Sequence, residues 1–318
     1  MKILVVGLGV IGTTYAYLFE KAGHEVEHFI REGSDKNSIE ILDVDLLDGR
    51  TDKYGNQVRD TYDIKHCSQK VYDFIFVSVS SGRIEDVIES LDNSQITGTI
   101  ILACGIWENR ESLDTLMSGH DYLLGYPVAG GKCSSTHLEA CVFDHFMIEK
   151  EEKAEIPNYS DIETLFSDCQ ISLEKPYDML EWIWLHMAIN AAVVSVAGKY
   201  GNINQPSASA ENLMNSSAIL KQAVVAIRET SGIIAARGVT LKYYRNELLA
   251  YWLPTFISVP LMKKMFAKNV LTRKIMTLHG NTEDLLFVCK SVYDSGQISH
   301  VEAPVFYDCY NALLPKID

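Results

Sequence analysis

The sequence predicts an α/β chain of two domains: an N-terminal doubly wound parallel sheet over residues 1–172 and an all-helical C-terminal domain over residues 173–318. Three observations lead there. Residues 2–6 are a continuous apolar run leading into a glycine-rich turn, the pattern of a parallel strand buried on both faces. Short apolar runs then alternate with helix-like segments as far as about residue 172. Beyond that point strand-like alternation is nearly absent and long helical segments take over.

Each element follows from its own signal. A helix is expected from about Thr13 to Ala22, ending at Gly23, and a second strand from about Glu25 to Ile30. The runs Tyr72–Val79 (YDFIFVSV) and Thr99–Ala103 (TIILA) read as later strands, with a helix at Ile84–Leu91 between them. Leu123-Leu124 and Ala140–Ile148 look like further strands. Between these last two, Gly125–Lys132 reads as a flexible glycine-bearing loop at the carboxyl end of a strand, where open α/β sheets bind ligands. Lys132 is there a candidate partner for a substrate carboxylate. Ser80-Ser81-Gly82-Arg83 occupies a similar place after Val79, and the acidic run Glu149–Glu155 reads as a solvated face. In the second domain helices are expected at Asp178–Ala197, at Ser216–Arg237 closed by Gly238, and at Thr282–Tyr293.

Composition narrows the function. The chain carries 28 basic and 42 acidic residues, a net charge of −14, which repels polyphosphate backbones and argues against nucleic-acid binding. Seven cysteines are scattered, with no C-x-x-C pair or His/Cys cluster at metal spacing, so no metal site is expected and the thiols read as free. The chain opens directly on a strand without a charged segment and cleavable apolar stretch, and a cytoplasmic location is the expectation. Trp182–Ala197 is apolar apart from His186, Asn190 and Ser195. It falls short of the roughly 20 residues that span a bilayer, so a buried helix is expected rather than a membrane partner.

The motif Gly7-Leu8-Gly9-Val10-Ile11-Gly12 lies between the first strand and the first helix. Gly7 permits a tight turn, Gly9 lets the backbone approach a pyrophosphate, and Gly12 allows helix and strand to pack closely. Val10 and Ile11 count with the glycines as cofactor-binding positions, and the N-terminus of the helix that follows offers unpaired N–H groups to the phosphate charge. The pattern in this context predicts dinucleotide binding. At the end of the second strand an acidic residue would suit NAD and an arginine NADP; the chain has Arg31 followed by Glu32, and Arg31 inclines the reading to NADP.

The opening MKILVVGLGVIGTTYAYLFEKAGHEVEHFIR resembles the 2-dehydropantoate 2-reductase (ketopantoate reductase) family, including the Gly23-His24-Glu25-Val26 lead-in to the second strand. The resemblance extends in layout over the whole chain, a Rossmann-type domain followed by a helical one. It implies reduction of a small 2-oxo acid or related carbonyl, with Arg31 on the 2′-phosphate of NADPH. The family signature is a lysine four residues before an asparagine on the first long helix of the second domain. Alignment on Asn190 puts His186 in the lysine's place; alignment on the tryptophan puts Trp184 there, which cannot transfer protons. The second family asparagine reads Val194, and the Asn-Gly pair expected at the cofactor reads Cys104-Gly105. The substrate-binding glutamate has its counterpart in Glu283, within His279-Gly280-Asn281-Thr282-Glu283. A family lysine for the cofactor phosphate has a weak counterpart in Arg83. These departures imply a substrate other than ketopantoate.

Hydride reduction of a ketone needs a proton donor at the carbonyl oxygen, and histidine can fill that role. His186 and Asn190 are four apart and share one helix face, where His186 would donate the proton and Asn190 position the substrate or nicotinamide. Glu283 or Asp284 could orient the histidine or anchor the substrate. A histidine on an apolar helix is also often a satisfied core residue, and that alternative stays open. So do two other readings: an opine-dehydrogenase-like enzyme joining an amino acid to a 2-oxo acid, and a nucleotide-binding sensor that has lost catalysis. A homodimer is expected from the resemblance alone.

Overall fold

The run KILVV forms β1 (Lys2–Val6), and its Ile3, Leu4 and Val5 are fully buried. A strand apolar on both faces has to be covered on both, which gives it an interior place in a parallel sheet. The computed structural model describes residues 1–278 and 281–316 and sets β1 between β2 (Glu25–Phe29) and β5 (Val71–Val77), parallel to both. The parallel order continues through β6 (Thr97–Ala103) and β7 (Tyr122–Cys133). Helix α1 (Val10–Lys21) links β1 to β2, α2 (Ile84–Asn93) links β5 to β6, and α3 (Arg110–Leu116) links β6 to β7.

The rest of the sheet departs from the all-parallel expectation. β8 (His137–Ile148) runs antiparallel to β7, β3 (Ile41–Asp48) joins β8 in parallel, and β4 (Asn56–Asp63) closes the order antiparallel to β3. Gly125–Lys132 is therefore no flexible loop but the middle of β7. Its glycines serve close packing. A Cβ on Gly125 would stand 2.7 Å from Phe146 Cζ, and one on Gly131 would stand 2.8 Å from both Ala140 Cα and Val10 Cγ2. Lys132 sits opposite Glu139 in the β7–β8 register.

The sheet also curls. After β4 the chain runs beside β2, with His28 N donating to Lys65 O at 2.7 Å and Cys67 N to His28 O at 2.9 Å. The two ends of the strand order thus meet around α1. That explains a helix whose residues Gly12 to Phe19 are buried without a break, a pattern that no one-sided amphipathic helix shows. Tyr15 and Phe19 pack into an aromatic cluster with Phe76, Phe146 and Phe166, while Tyr17 meets Tyr62 edge-on and donates to Asp60 at 3.1 Å.

Two short helices follow, α4 (Glu151–Ala154) and α5 (Tyr159–Asp168), then β9 (Ser172–Glu174) on the edge of β8. Glu149, read as part of a solvated acidic run, is fully buried. It accepts from Leu124 N at 3.0 Å and pairs with Arg110, and burial raises its carboxyl pKa against the pull of that guanidinium. The rest of the run lies at or near the surface on α4. The polypeptide stays with the sheet past residue 172: the first compact unit is Met1–Leu180 and the second Glu181–Asp318.

Among the described residues the second unit is helical throughout. Its elements are α6 (Met179–Tyr200), α7 (Pro206–Asn215), α8 (Ser217–Ala236), α9 (Arg245–Trp252), α10 (Thr255–Lys268), α11 (Val270–Leu278), α12 (Thr282–Ile298) and α13 (Pro304–Leu313). α8 is the hub, packing against α7, α9, α10, α12 and α13. α6 is long and apolar enough by length and composition to cross a membrane, but 67% of its apolar window is buried inside the protein. Its Ala191 carbonyl and Ser195 hydroxyl meet the Cys289 thiol of α12 at 3.7 and 3.6 Å, the setting of a core helix.

Candidate functional site

The chain leaves β1 through a turn at Gly7, whose φ of +81° lies in the region that favours glycine. Its N–H donates to Phe29 O at 2.8 Å, tying the turn to the end of β2. Gly9 caps α1 in an extended conformation with no side-chain cap, and Thr13 N donates back to Gly9 O at 2.9 Å. The first turn of the helix carries no acidic residue. The amides of Gly9, Val10, Ile11 and Gly12 are therefore the orphan donors of a helix N-terminus, where the peptide dipoles favour an anion.

The glycine spacing has a steric reason at each position. A Cβ on Gly9 would meet nothing within 4 Å, so the space above the turn is open. One on Gly12 would stand 2.9 Å from both Val5 Cγ1 and Ser78 Oγ, so α1 can lie this close to β1 and the end of β5 only with glycine there. Ser78 Oγ is buried with no hydrogen-bond partner among the described residues, a polar group left beside the cradle. An open, donor-lined turn with an orphaned hydroxyl beside it fits the diphosphate of a dinucleotide.

The other expected cofactor residues follow the carboxyl ends of β2, β5 and β6. Arg31 follows β2 at the surface; its carbonyl accepts from Ser34 N at 3.2 Å and Asn37 Nδ2 at 2.9 Å, and its side chain makes no hydrogen bond or ion pair among the described residues. Glu27 on β2 faces inward, accepting from Ser68 Oγ at 2.6 Å and Tyr72 Oη at 2.5 Å, so it is engaged elsewhere. Cys104 is buried directly after β6. Arg83 is paired with Asp86 at 2.8 Å.

On α6, His186 and Asn190 are half-buried and one turn apart. The Trp182 indole stacks on the His186 ring at 4.9 Å between centroids and 14° between planes, which fixes the imidazole plane. Trp184, the alternative at this position, turns elsewhere: the Arg237 guanidinium lies 4.2 Å from its ring centre. Glu283 is exposed in the first turn of α12, behind the Asn281 cap that accepts from Asp284 N at 3.3 Å. Cys289, which touches α6 at Ala191 and Ser195, follows Glu283 by six residues, about 9 Å of helix axis. Val194 is half-buried on α6, while His279 and Gly280 lie outside the described residues. No group of three His, Cys, Asp or Glu able to hold a metal ion occurs among the described residues.

Two further residues reach the glycine turn that the spacing of its glycines does not point to. His28, in the interior of β2, contacts Gly7 O at 2.9 Å and Tyr62 Oη at 2.8 Å, and burial lowers its pKa to about 4. Lys36 donates its Nζ to Leu8 O at 2.9 Å. A histidine inside a strand next to a glycine turn was the one clue available.

Residues 3–125 match the family described as ketopantoate reductase PanE/ApbA. No curated protein matches the sequence. Similar solved structures include a dimeric ketopantoate reductase from Staphylococcus aureus, with 13% identity over 99% of this chain and 98% of that one and a TM-score of 0.64. A 2-dehydropantoate 2-reductase from Geobacter metallireducens GS-15 shares 12% identity over the whole of both chains, with a TM-score of 0.66. D-mandelate dehydrogenase, solved with NADH and anilino(oxo)acetate, shares 13% over 99% of this chain and 98% of that one, with a TM-score of 0.65. At these identities the likeness establishes the two-domain α/β fold.

Proposed function

On the premise that its residues 3–125 belong to the ketopantoate reductase PanE/ApbA family, we propose that the chain is an NADP-dependent oxidoreductase that reduces a small 2-oxo acid or related carbonyl. The observation that carries this reading is the glycine turn: positive φ at Gly7, open space at Gly9, and the unpaired amides of α1 above it. When bound there, the nicotinamide supplies the hydride. The chain's own part is to hold the diphosphate on the amides of Gly9 to Gly12 and the 2′-phosphate on Arg31. NADP is favoured over NAD because Arg31 comes off the end of β2 ahead of Glu32, and its side chain stands at the surface.

In the second unit His186 takes the place of the family lysine. Its ring, held by Trp182, delivers a proton to the substrate oxygen as alkoxide charge develops, and Asn190 orients the carbonyl through its amide. Glu283 serves as an anchoring carboxylate. Replacing a long flexible amine by a fixed imidazole changes the reach of the donor, which supports a substrate other than ketopantoate. On this reading the enzyme is cytoplasmic, in keeping with seven free thiols, and a homodimer like the Staphylococcus aureus reductase.

The test is fluorescence titration with NADPH and NADH, followed by a panel of 2-oxo acids with and without an amine. Tighter NADPH binding and oxidation by one of the acids is the expected result. Oxidation only when an amine is present would replace reduction by reductive condensation. Binding without oxidation would make the chain a nucleotide sensor, and no dinucleotide binding would overturn the reading.

A further inference from the structure

The reading of residues 7–12 as the cofactor turn leaves His28 and Lys36 without a role, although both reach the turn itself. His28 has no exposed surface, and its Nδ1 lies 2.9 Å from the Gly7 carbonyl. A carbonyl only accepts, so Nδ1 carries the hydrogen and Nε2 is left to accept from Tyr62 Oη, 2.8 Å away on β4. Lys36 comes from the 3-10 turn Asp35–Ser38 that follows β2, and its ammonium donates to the next carbonyl, Leu8 O, at 2.9 Å.

The carbonyls of two consecutive peptides are therefore held by side chains. In a trans peptide the C=O and N–H point in opposite directions. Fixing the Gly7 and Leu8 carbonyls turns the Leu8 and Gly9 amides away from His28 and Lys36, and neither amide has an acceptor among the described residues. The absence of a Cβ at Gly9 keeps that side of the turn open.

We infer that His28 and Lys36 are positioning residues for dinucleotide binding, holding the Gly7–Leu8 and Leu8–Gly9 peptides so that their amides face the pyrophosphate. This rests on the cofactor reading of the turn and adds to it a selectivity. The clamp acts on the pyrophosphate, so it serves NADPH, NADH and ADP-ribose alike, whereas Arg31 distinguishes the two nicotinamide nucleotides. A purely structural histidine in β2 would affect stability and no ligand in particular.

Isothermal titration calorimetry on the full chain tests it, with NADPH, NADH and ADP-ribose as pyrophosphate ligands and adenosine 2′-monophosphate as one lacking the linkage. In Lys36→Met and His28→Phe the Kd of the three pyrophosphate ligands is expected to rise in parallel, roughly five- to tenfold, with that of adenosine 2′-monophosphate unchanged. Lys36→Arg, which keeps a donor, restores most of the loss. Lys36 is exposed, so its variants report even where His28→Phe does not fold. Wild-type Kd values for the pyrophosphate ligands in Lys36→Met, or an equal loss for adenosine 2′-monophosphate, would overturn the clamp and leave the cofactor reading standing. A wild-type chain that binds none of the pyrophosphate ligands would overturn both.

Discussion

Alanine replacement along the glycine turn separates what the protein needs for packing from what a ligand needs. At Gly9 an added Cβ meets no atom within 4 Å and the backbone is extended, at φ −85° and ψ 161°, so alanine fits the free protein. The lower entropy of the unfolded chain then favours the variant by about 0.4–1 kcal/mol, and Gly9→Ala should melt at or slightly above the wild-type temperature. The same methyl group occupies the side from which a pyrophosphate approaches. Losing two charge-assisted amide bonds, at roughly 1.5 kcal/mol each, raises the NADPH Kd about a hundredfold. Gly12→Ala behaves differently. Its Cβ would lie 2.9 Å from Val5 Cγ1, and Val5 is fully buried and stiff about χ1, so α1 must move outward. Overpacking of this kind costs about 1–3 kcal/mol, several degrees of melting temperature, in addition to the lost affinity. Differential scanning calorimetry and titration calorimetry read the two effects separately. A Gly9→Ala protein that binds NADPH as tightly as wild type would refute the placement of the phosphates, and one that is itself destabilised would refute the steric argument.

Other outcomes follow from the same geometry. Arg31→Ala should raise the NADPH Kd about tenfold, less at high salt, and leave the NADH Kd alone; equal losses for both cofactors would remove Arg31 from the 2′-phosphate. His186→Gln should lower turnover about a hundredfold or more with NADPH affinity retained, and near-normal rates would return His186 to the core. His28 has its folded pKa lowered by burial to about 4, against about 6.5 when unfolded. The fold favours its neutral form, so its contribution is complete above pH 6.5 and is lost as the pH falls from 6.5 to 4, about 3 kcal/mol over the window. Urea unfolding of wild type and His28→Phe across that range should give diverging curves; parallel curves would sink the argument.

Much of this was legible in the residues, and the exceptions have physical reasons. β1, β5, β6 and α6 stood out because burial on several sides demands long apolar runs, and α2 because Ile84, Val87, Ile88 and Leu91 recur at the spacing of one buried helix face. β4 (NQVRDTYD) was invisible: only Tyr62 is buried, and a strand with one wet face and one buried side chain leaves no pattern. β7 was half read, because glycines chosen for contact with Phe146 and Val10 look like glycines chosen for flexibility. Glu149 opened what looked like a charged surface and is instead the buried partner of Arg110. At the candidate site, Gly7, Gly9 and Gly12 announced themselves through spacing. His28 and Lys36 did not, since their role depends on a carbonyl 21 residues away in one case and 28 in the other.

The enclosure of α1 has a consequence for how the chain is made. Val10 rests against Gly131, Tyr15 against Phe146 and Phe166, and the Leu18 carbonyl meets the Cys169 thiol. The helix behind the glycine turn is synthesised well before these partners, which follow it by about 120 to 150 residues. At synthesis rates of about 5–20 residues per second the face that meets them stays uncovered on the order of ten seconds. Contacts of such sequence separation also form slowly once the chain is complete. The glycine turn is thus among the last parts of the first unit to mature.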